Sequence, residues 1–291
     1  SGAFISQTGG HGDFGLPTDV PRKIGDMSYA ERNGMVAIAD GADNVLLRAR
    51  EQLRQGATQL KLMAGGGVAS NYDPLDVMQY TEAEMKAAVG AATNWGTYVT
   101  VHAYTPLAIK TAISAGVTCI DHGQLADEAT VKLMAEKGIW WSLQPFLDDE
   151  ESIPFPEGSA NRLKQLEMTN GTDNAYQLAK KYKVKLAWGT DCLFDPSLAL
   201  KQGKQLSKMT KWFTPFESLK MATSGNAELL AKSGKRNPYP SGKLGEISQG
   251  AYADLILVDG NPLENLKLVE DPENNFKLIM KNGVIYKNTL K

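Results

Sequence analysis

Short apolar runs alternate with helix-patterned stretches along most of this chain, and that alternation restricts its fold more than any other feature. Strand-like runs fall at residues 3–8, 58–64, 98–104, 117–122, 139–144 and 185–191, which makes six strand–helix units. Such spacing predicts an α/β fold built on a parallel sheet. The intervening stretches carry helix start signals. Thr81-Glu82-Ala83-Glu84 and Thr214-Pro215-Phe216-Glu217 are capping boxes, and Thr105-Pro106 places proline at a first helical position. Gly56, Gly116 and Gly138 supply stops. Six units are two short of a closed eight-stranded barrel. The alternative, an open doubly wound sheet, needs a glycine-rich phosphate turn running into a helix. Gly9-Gly10-His11-Gly12 leads instead into a loop broken by Pro17 and Pro21, so that alternative fits poorly. Beyond residue 235 the texture changes to a strand at 253–258 and a hairpin, 276–280 and 284–286, turning at Asn282-Gly283. The expected organisation is a barrel over 1–235 and part of a small β domain over 236–291.

The totals bound function from outside. With 291 residues, 42% of them hydrophobic, the chain suffices for one large domain or a large one with a small companion. A net charge of −2 gives no electrostatic case for nucleic acid or an anionic membrane. No run is long and apolar enough to span a bilayer. Cys119 and Cys192 lie in apolar strand-like runs, which argues against a disulfide-built scaffold. Residues 1–6 enter a strand with no preceding cap or initiator Met, so the start reads as truncated. Any signal would lie upstream of Ser1, which leaves the compartment open between a bacterial cytoplasm and periplasm. The subunit count is open too, a homo-oligomer included.

Chemistry concentrates where the strands end. In Thr58-Gln59-Leu60-Lys61-Leu62-Met63-Ala64-Gly65-Gly66-Gly67, one lysine sits in a run that otherwise reads as buried. A lone ammonium there is costly, so Lys61 should be paired, neutral or modified. The plainer alternative is a lysine snorkelling out at a strand end. His102, His122 and Asp191 lie at or near the ends of later strands, and an α/β barrel gathers such ends into one mouth. Two histidines and a carboxylate are enough to hold a divalent metal such as zinc while leaving a position for water. Singly, each residue has an ordinary reading. A strand-end histidine is usually structural, Asp191 can cap its loop, Tyr104 can pack a rim, and His11 can sit in a turn. Jointly these weaken, because all three histidines and the buried-looking lysine fall at strand exits.

Lys61-Leu62-Met63-Ala64-Gly65-Gly66-Gly67, Val101-His102-Ala103-Tyr104-Thr105-Pro106, Ile120-Asp121-His122-Gly123 and Trp188-Gly189-Thr190-Asp191, in that order, resemble the amidohydrolase superfamily. The likeness is to its imidazolonepropionase-related branch, which contains metal-dependent prolyl dipeptidases, carboxypeptidases and an ochratoxin-hydrolysing amidase. Gln7-Thr8-Gly9-Gly10-His11-Gly12-Asp13 and the tail from Gly250 to Leu263 resemble that branch as well. The resemblance implies a (β/α)8 TIM-type barrel without its first two strand units, beside part of a β-sandwich domain. It implies that Lys61 is carboxylated and bridges two divalent metals, zinc first among candidates. His102 and His122 match ligands of one metal, and Asp191 a ligand of the other and the proton shuttle. Tyr104 and His11 match positions that contact the substrate carbonyl or the tetrahedral intermediate. One departure stands out: the family's first strand carries a His-x-His pair, and none occurs here.

The expected function is hydrolysis of an amide bond by metal-bound hydroxide. The substrate is a small molecule or peptide, with an N-acyl amino acid or peptide bearing a free carboxylate foremost. A cyclic amidase is the enzymatic alternative. A non-catalytic fragment, favoured by the missing His-x-His, is the alternative from another class.

Overall fold

In a computed structural model of the chain, which describes every residue except Ile24, Phe194 and Lys291, the residues fall into two compact units interleaved in sequence. The first comprises Ser1–Ser142, Pro154–Lys185 and Lys232–Arg236. The second comprises Leu143–Ile153, Leu186–Ala231 and Asn237–Lys291. The boundary drawn from sequence at 235 falls within the returning segment Lys232–Arg236.

The first unit alternates strand and helix in chain order: β1 (Phe4–Ser6), α1 (Tyr29–Arg32), β2 (Val36–Ile38), α2 (Ala42–Arg54), β3 (Leu60–Met63), α3 (Glu82–Trp95), β4 (Val99–Ala103), α4 (Pro106–Ser114), β5 (Cys119–His122), α5 (Glu128–Glu136), β6 (Trp140–Ser142) and α6 (Ala160–Tyr182). A seventh strand, β7 (Lys185–Ala187), begins in this unit at Lys185. The sheet order is β2-β1-β3-β4-β5-β6-β7, and the pairings from β2 through β6 are all parallel. The sequence predicts six strands, and the structure has seven. The addition is β2, three residues containing an alanine, too short to show a period.

Local signals place the helices. Thr81 and Glu84 form the predicted capping box on α3, and Gly96, at φ 76°, ends it. Glu84 Oε1 also accepts the Gly41 N–H at 2.8 Å and so fastens the start of α2 to α3. On α2, Val45, Ala49 and Leu53 recur every fourth residue and are buried. Gln52 from the same helix accepts the Ala3 N–H at 2.8 Å, which sets the entry of β1. The core between sheet and helices holds Ile5, Leu60, Leu62, Ile109, Ile120, Met134 and Trp141, all fully buried. The returning segment closes on α3: Arg236 Nε donates to the Trp95 carbonyl at 3.0 Å, and its guanidinium lies over the Trp95 ring.

In the second unit, β8 (Leu255–Val258), β9 (Phe276–Lys281) and β10 (Val284–Asn288) form an antiparallel sheet in the order β10-β9-β8. The β9–β10 hairpin turns at Asn282 (φ 49°) and Gly283 (φ 77°), the two left-handed residues a type I′ turn requires. The acidic segment around Asp149 and Glu151 lies in this unit, where Lys208 reaches Asp149 at 2.7 Å and Glu151 at 3.5 Å. Among the described residues, no helix is long and apolar enough to cross a membrane.

Candidate active site

The strand register explains how separated residues meet. Lys61 on β3 stands beside Thr100 on β4, and His102 on β4 beside Asp121 on β5. Side chains alternate along a strand, so Lys61, Thr100, His102 and Asp121 share one face of the sheet. Lys61 Nζ pairs with the Asp121 carboxylate. The ammonium that the sequence marks as costly is therefore matched by a partner two strands away, and Asp121 is a site residue that sequence reasoning did not single out. Its signal was its place beside His122.

His122 stands beside Ala103, so alternation alone would turn it to the opposite face. It does not go there. Its φ is 73°, in the left-handed region that few non-glycine residues occupy, and its ring lies 4.5 Å from His102 and 5.3 Å from Tyr104. Trp141 on β6 holds this turn, donating its indole N–H to the His122 carbonyl at 2.5 Å. The Trp141 side chain is fully buried in the core.

His11 completes the cluster. Its ring stacks on His102 at 4.2 Å, and Tyr104 meets His102 edge-on at 4.9 Å. His11 is carried by the glycine turn after β1, where the Ser6 hydroxyl donates to the His11 carbonyl at 2.6 Å. The loop after β3 supplies its partners. Ser70 Oγ lies 2.7 Å and Asp73 Oδ2 3.3 Å from His11 Nδ1. Asp73 Oδ2 also accepts the Gly67 N–H at 2.7 Å, and Ser70 Oγ the Gly12 N–H at 3.0 Å. A carboxylate only accepts, so Nδ1 of His11 carries the proton. Gly67 passes directly under the ring: a Cβ there would lie 2.0 Å from His11 Cε1.

His102 is the most constrained of the three. Its Nε2 lies 3.0 Å from the Gly66 carbonyl, and a carbonyl oxygen only accepts, so Nε2 is the protonated nitrogen and Nδ1 keeps the lone pair. Burial, then the charges on His11, His122 and Lys61, push this imidazole well below its usual pKa against the opposing pull of Gly66. It is neutral at neutral pH. Since the folded value lies below the unfolded value of about 6.5, the unfolded chain binds more protons between the two. Stability is therefore full above about pH 6.5 and declines on acidification, by at most about 1.4 kcal/mol per pH unit for this one group. Urea titrations across pH in the presence of chelator, with His102→Gln as the comparison, read this directly. An equal acid slope in parent and variant would remove His102 as its source.

Cys119, also on the Thr100 face, is no nucleophile: burial, then Asp121, drive its thiol pKa up so that it stays protonated. Asp191 lies in the second unit, exposed, with φ 50° and its carbonyl accepting the Leu193 N–H at 2.8 Å. Of the predicted site residues, His11, Lys61, His102, Tyr104 and His122 belong to the first unit. The three histidines and Tyr104 are in contact, while Lys61 is engaged by Asp121. Among the described residues, no group of three His, Cys, Asp or Glu side chains is placed to hold a metal ion. In the first unit the three imidazoles meet in one cluster, His11 stacked on His102 and His122 edge-on to it, and Lys61 is held by Asp121.

Comparison with known proteins follows the same lines. The model of the amidohydrolase family matches residues 18–287. Ochratoxinase from Aspergillus niger is 34% identical over 297 aligned residues, covering 99% of this chain and 59% of that protein. The chain therefore spans somewhat more than half the length of this relative. Among solved structures, a prolidase complexed with N-methylphosphonate-L-proline superposes with a TM-score of 0.86 at 32% identity, over 98% of this chain and 68% of that one. The A. niger ochratoxinase structure superposes with a TM-score of 0.79 at 29% identity, over 99% and 65%. The parallel sheet with its surrounding helices is the α/β arrangement of these TIM-barrel neighbours. Likeness of that length and depth leaves one assignment: the chain belongs to the amidohydrolase family, on the branch shared by prolidases and ochratoxinase.

Proposed function

We propose that this protein is a metal-dependent hydrolase of amide bonds, acting on a peptide or N-acyl amino acid with a free carboxylate. The observation that carries the reading is His102, neutral, buried, and fixed with its Nε2–H on a backbone carbonyl. That is how a metal-ligating imidazole is held: one ring nitrogen donates to a carbonyl and the other offers its lone pair. Amidohydrolase superfamily members are generally metal-dependent, and the donor chemistry here fits a divalent cation. In this reading His102 and His122 hold it, joined by Lys61 once carboxylated and by Asp191. Carboxylation would turn Lys61 into an anion and free it from Asp121, so intact mass is a test in its own right. When bound, such a cation supplies a nucleophile at neutral pH and polarises a carbonyl.

The chain's own residues do the rest. Tyr104, 4% exposed and edge-on to His102, has a hydroxyl to donate toward charge developing on the substrate oxygen. His11 is assigned to the same oxygen, and its Nδ1–H, anchored on Ser70 and Asp73, fixes the ring plane. Asp191 is assigned the proton transfer to the leaving amine on its sequence pattern alone. The relatives favour the peptide reading: one is a prolidase complexed with N-methylphosphonate-L-proline, another a Xaa-Pro dipeptidase with bound methionine.

The test is a panel of Xaa-Pro dipeptides, N-acyl amino acids and an imidazolone-like ring, assayed with and without added zinc or chelator. Turnover of the first two classes, abolished by chelator, is expected. His102→Asn should lower kcat/KM by more than about 100-fold, since even partners of metal ligands cost 10–100-fold. Turnover of the ring alone would move the assignment to a cyclic amidase. No turnover of any class with zinc present would favour a non-catalytic protein.

A further inference from the structure

The loop after β3 aims two of the three histidines, yet it has almost no regular structure of its own. Beyond β3 its backbone is tied by an isolated bridge between Gly65 and Met78 and by the Gln79 N–H to the Ala64 carbonyl at 2.8 Å. Between those ties run the groups that matter. Gly66 presents its carbonyl to His102, Gly67 lies under the His11 ring, and Ser70 and Asp73 flank His11 Nδ1. The carbonyls of Gly67, Ser70 and Asp73 point elsewhere, to a single ammonium. Lys164 Nζ donates to all three, at 2.7 Å to Gly67 and 3.1 Å to Asp73. An ammonium has three donors and no acceptor, so three carbonyls saturate it.

We propose that Lys164 is a positioning residue for the histidine cluster: by gathering the Gly67, Ser70 and Asp73 carbonyls, it fixes the loop that orients His11 and His102. The proposal rests on the reading of that cluster as the reactive centre. Asn161, three residues earlier on the same face of α6, supports the same loop, its Nδ2 donating to the Val68 carbonyl at 2.7 Å and the Ser70 carbonyl at 3.4 Å. The geometry is specific to an ammonium. A planar guanidinium cannot converge on three carbonyls around one nitrogen, and an apolar side chain takes the Lys164 donor from the Gly67 and Asp73 carbonyls. Burial of a cation with no carboxylate bonded to it is costly, and here it lowers the Lys164 pKa, with Asp73 acting in the opposite sense. That cost is borne at the one point where the loop's carbonyls meet. Beside Lys164 lies a cleft of about 510 Å³ lined by Asn71, Tyr72, Asp73, Leu163 and Glu167 among others, open enough to admit a small amine.

The chain has three histidines, all in the cluster, so imidazole nitrogen NMR reads each one without crowding. Spectra of the metal-free protein are compared with those of Lys164→Met. Loss of the ammonium should displace the His11 and His102 ring signals most and His122 least, because the loop reaches the rings of His11 and His102 while Trp141 holds the His122 carbonyl. In turnover, kcat should fall about 10–100-fold with KM changed less than about threefold, and methylammonium should restore part of kcat through the cleft. Asn161→Ala, which removes one arm of the same support, should move the same two rings by less, and it decides the matter if Lys164→Met does not fold. Unmoved His11 and His102 signals in a folded variant, or equal displacement of all three rings, would overturn the proposal. Should the parent protein hydrolyse no amide, the functional reading fails, while the ring signals still decide what Lys164 does.

Discussion

Gly67→Ala should cost the protein about 100-fold or more in kcat/KM for its amide substrate while leaving the sheet intact. The added methyl would stand 2.0 Å from His11 Cε1 and 2.1 Å from Nδ1, far inside contact distance. A ring is not the yielding end of a flexible chain, so His11 must swing away or the loop must lift. If the ring moves, it leaves Ser70 and Asp73; if the loop lifts, the Gly66 carbonyl leaves His102. Either way a reacting group is misplaced by about 1 Å or more, a displacement that is worth about 100-fold in rate. Overpacking should also lower stability by about 1–3 kcal/mol. Steady-state kinetics beside a thermal melt separates the two losses. A variant with parental kcat would show that His11 need not lie where it does.

Trp141→Ala is the substitution expected to do most damage to stability, about 3–5 kcal/mol. The indole is fully buried in β6 and fills the core behind β5. Its removal also leaves the His122 carbonyl without its N–H donor, at the residue whose left-handed φ brings an imidazole into the cluster. Gly123, the next residue, packs so close to the indole that a Cβ would lie 2.6 Å from its nitrogen. At roughly 2–4 °C per kcal/mol for a chain of this size, the melting temperature should drop by about 10 °C. Trp141→Phe keeps most of the packing and loses the donor, so it should cost about 1–3 kcal/mol and depress activity more than its stability loss explains. Equal stability for the Phe variant and the parent would show that the indole N–H does not hold the turn.

The strands that carry Lys61, His102 and His122 were legible from sequence because long apolar runs ended in glycine or in a polar residue. The hairpin at Asn282-Gly283 was legible for its turn chemistry, and α3 for its capping box. What escaped were contacts between distant segments. Asp121 sits next to a noted histidine, but its pairing with Lys61 depends on two parallel registers that no local pattern encodes. Ser70 and Asp73 approach His11 from about sixty residues away, and Lys164 approaches the same loop from more than ninety. β2 escaped for a different reason: three residues cannot display a period. The side to which His122 points was illegible as well, since simple alternation assigns it the wrong face.

The clasp of Arg236 on Trp95 has a consequence for how the protein is made. Every histidine leaves the ribosome by residue 122, and α6 with Lys164 follows by residue 182, whereas Arg236 emerges some fifty residues later. Domains generally fold from the N-terminus as they are synthesised. A nascent chain halted once α6 has cleared the exit tunnel, with Arg236 still inside it, would thus already own its histidine cluster and the lysine bracing it, but not the latch. Translation-arrest force profiles should then record two separate pulls on the growing chain, the second only once Arg236 has cleared the exit tunnel.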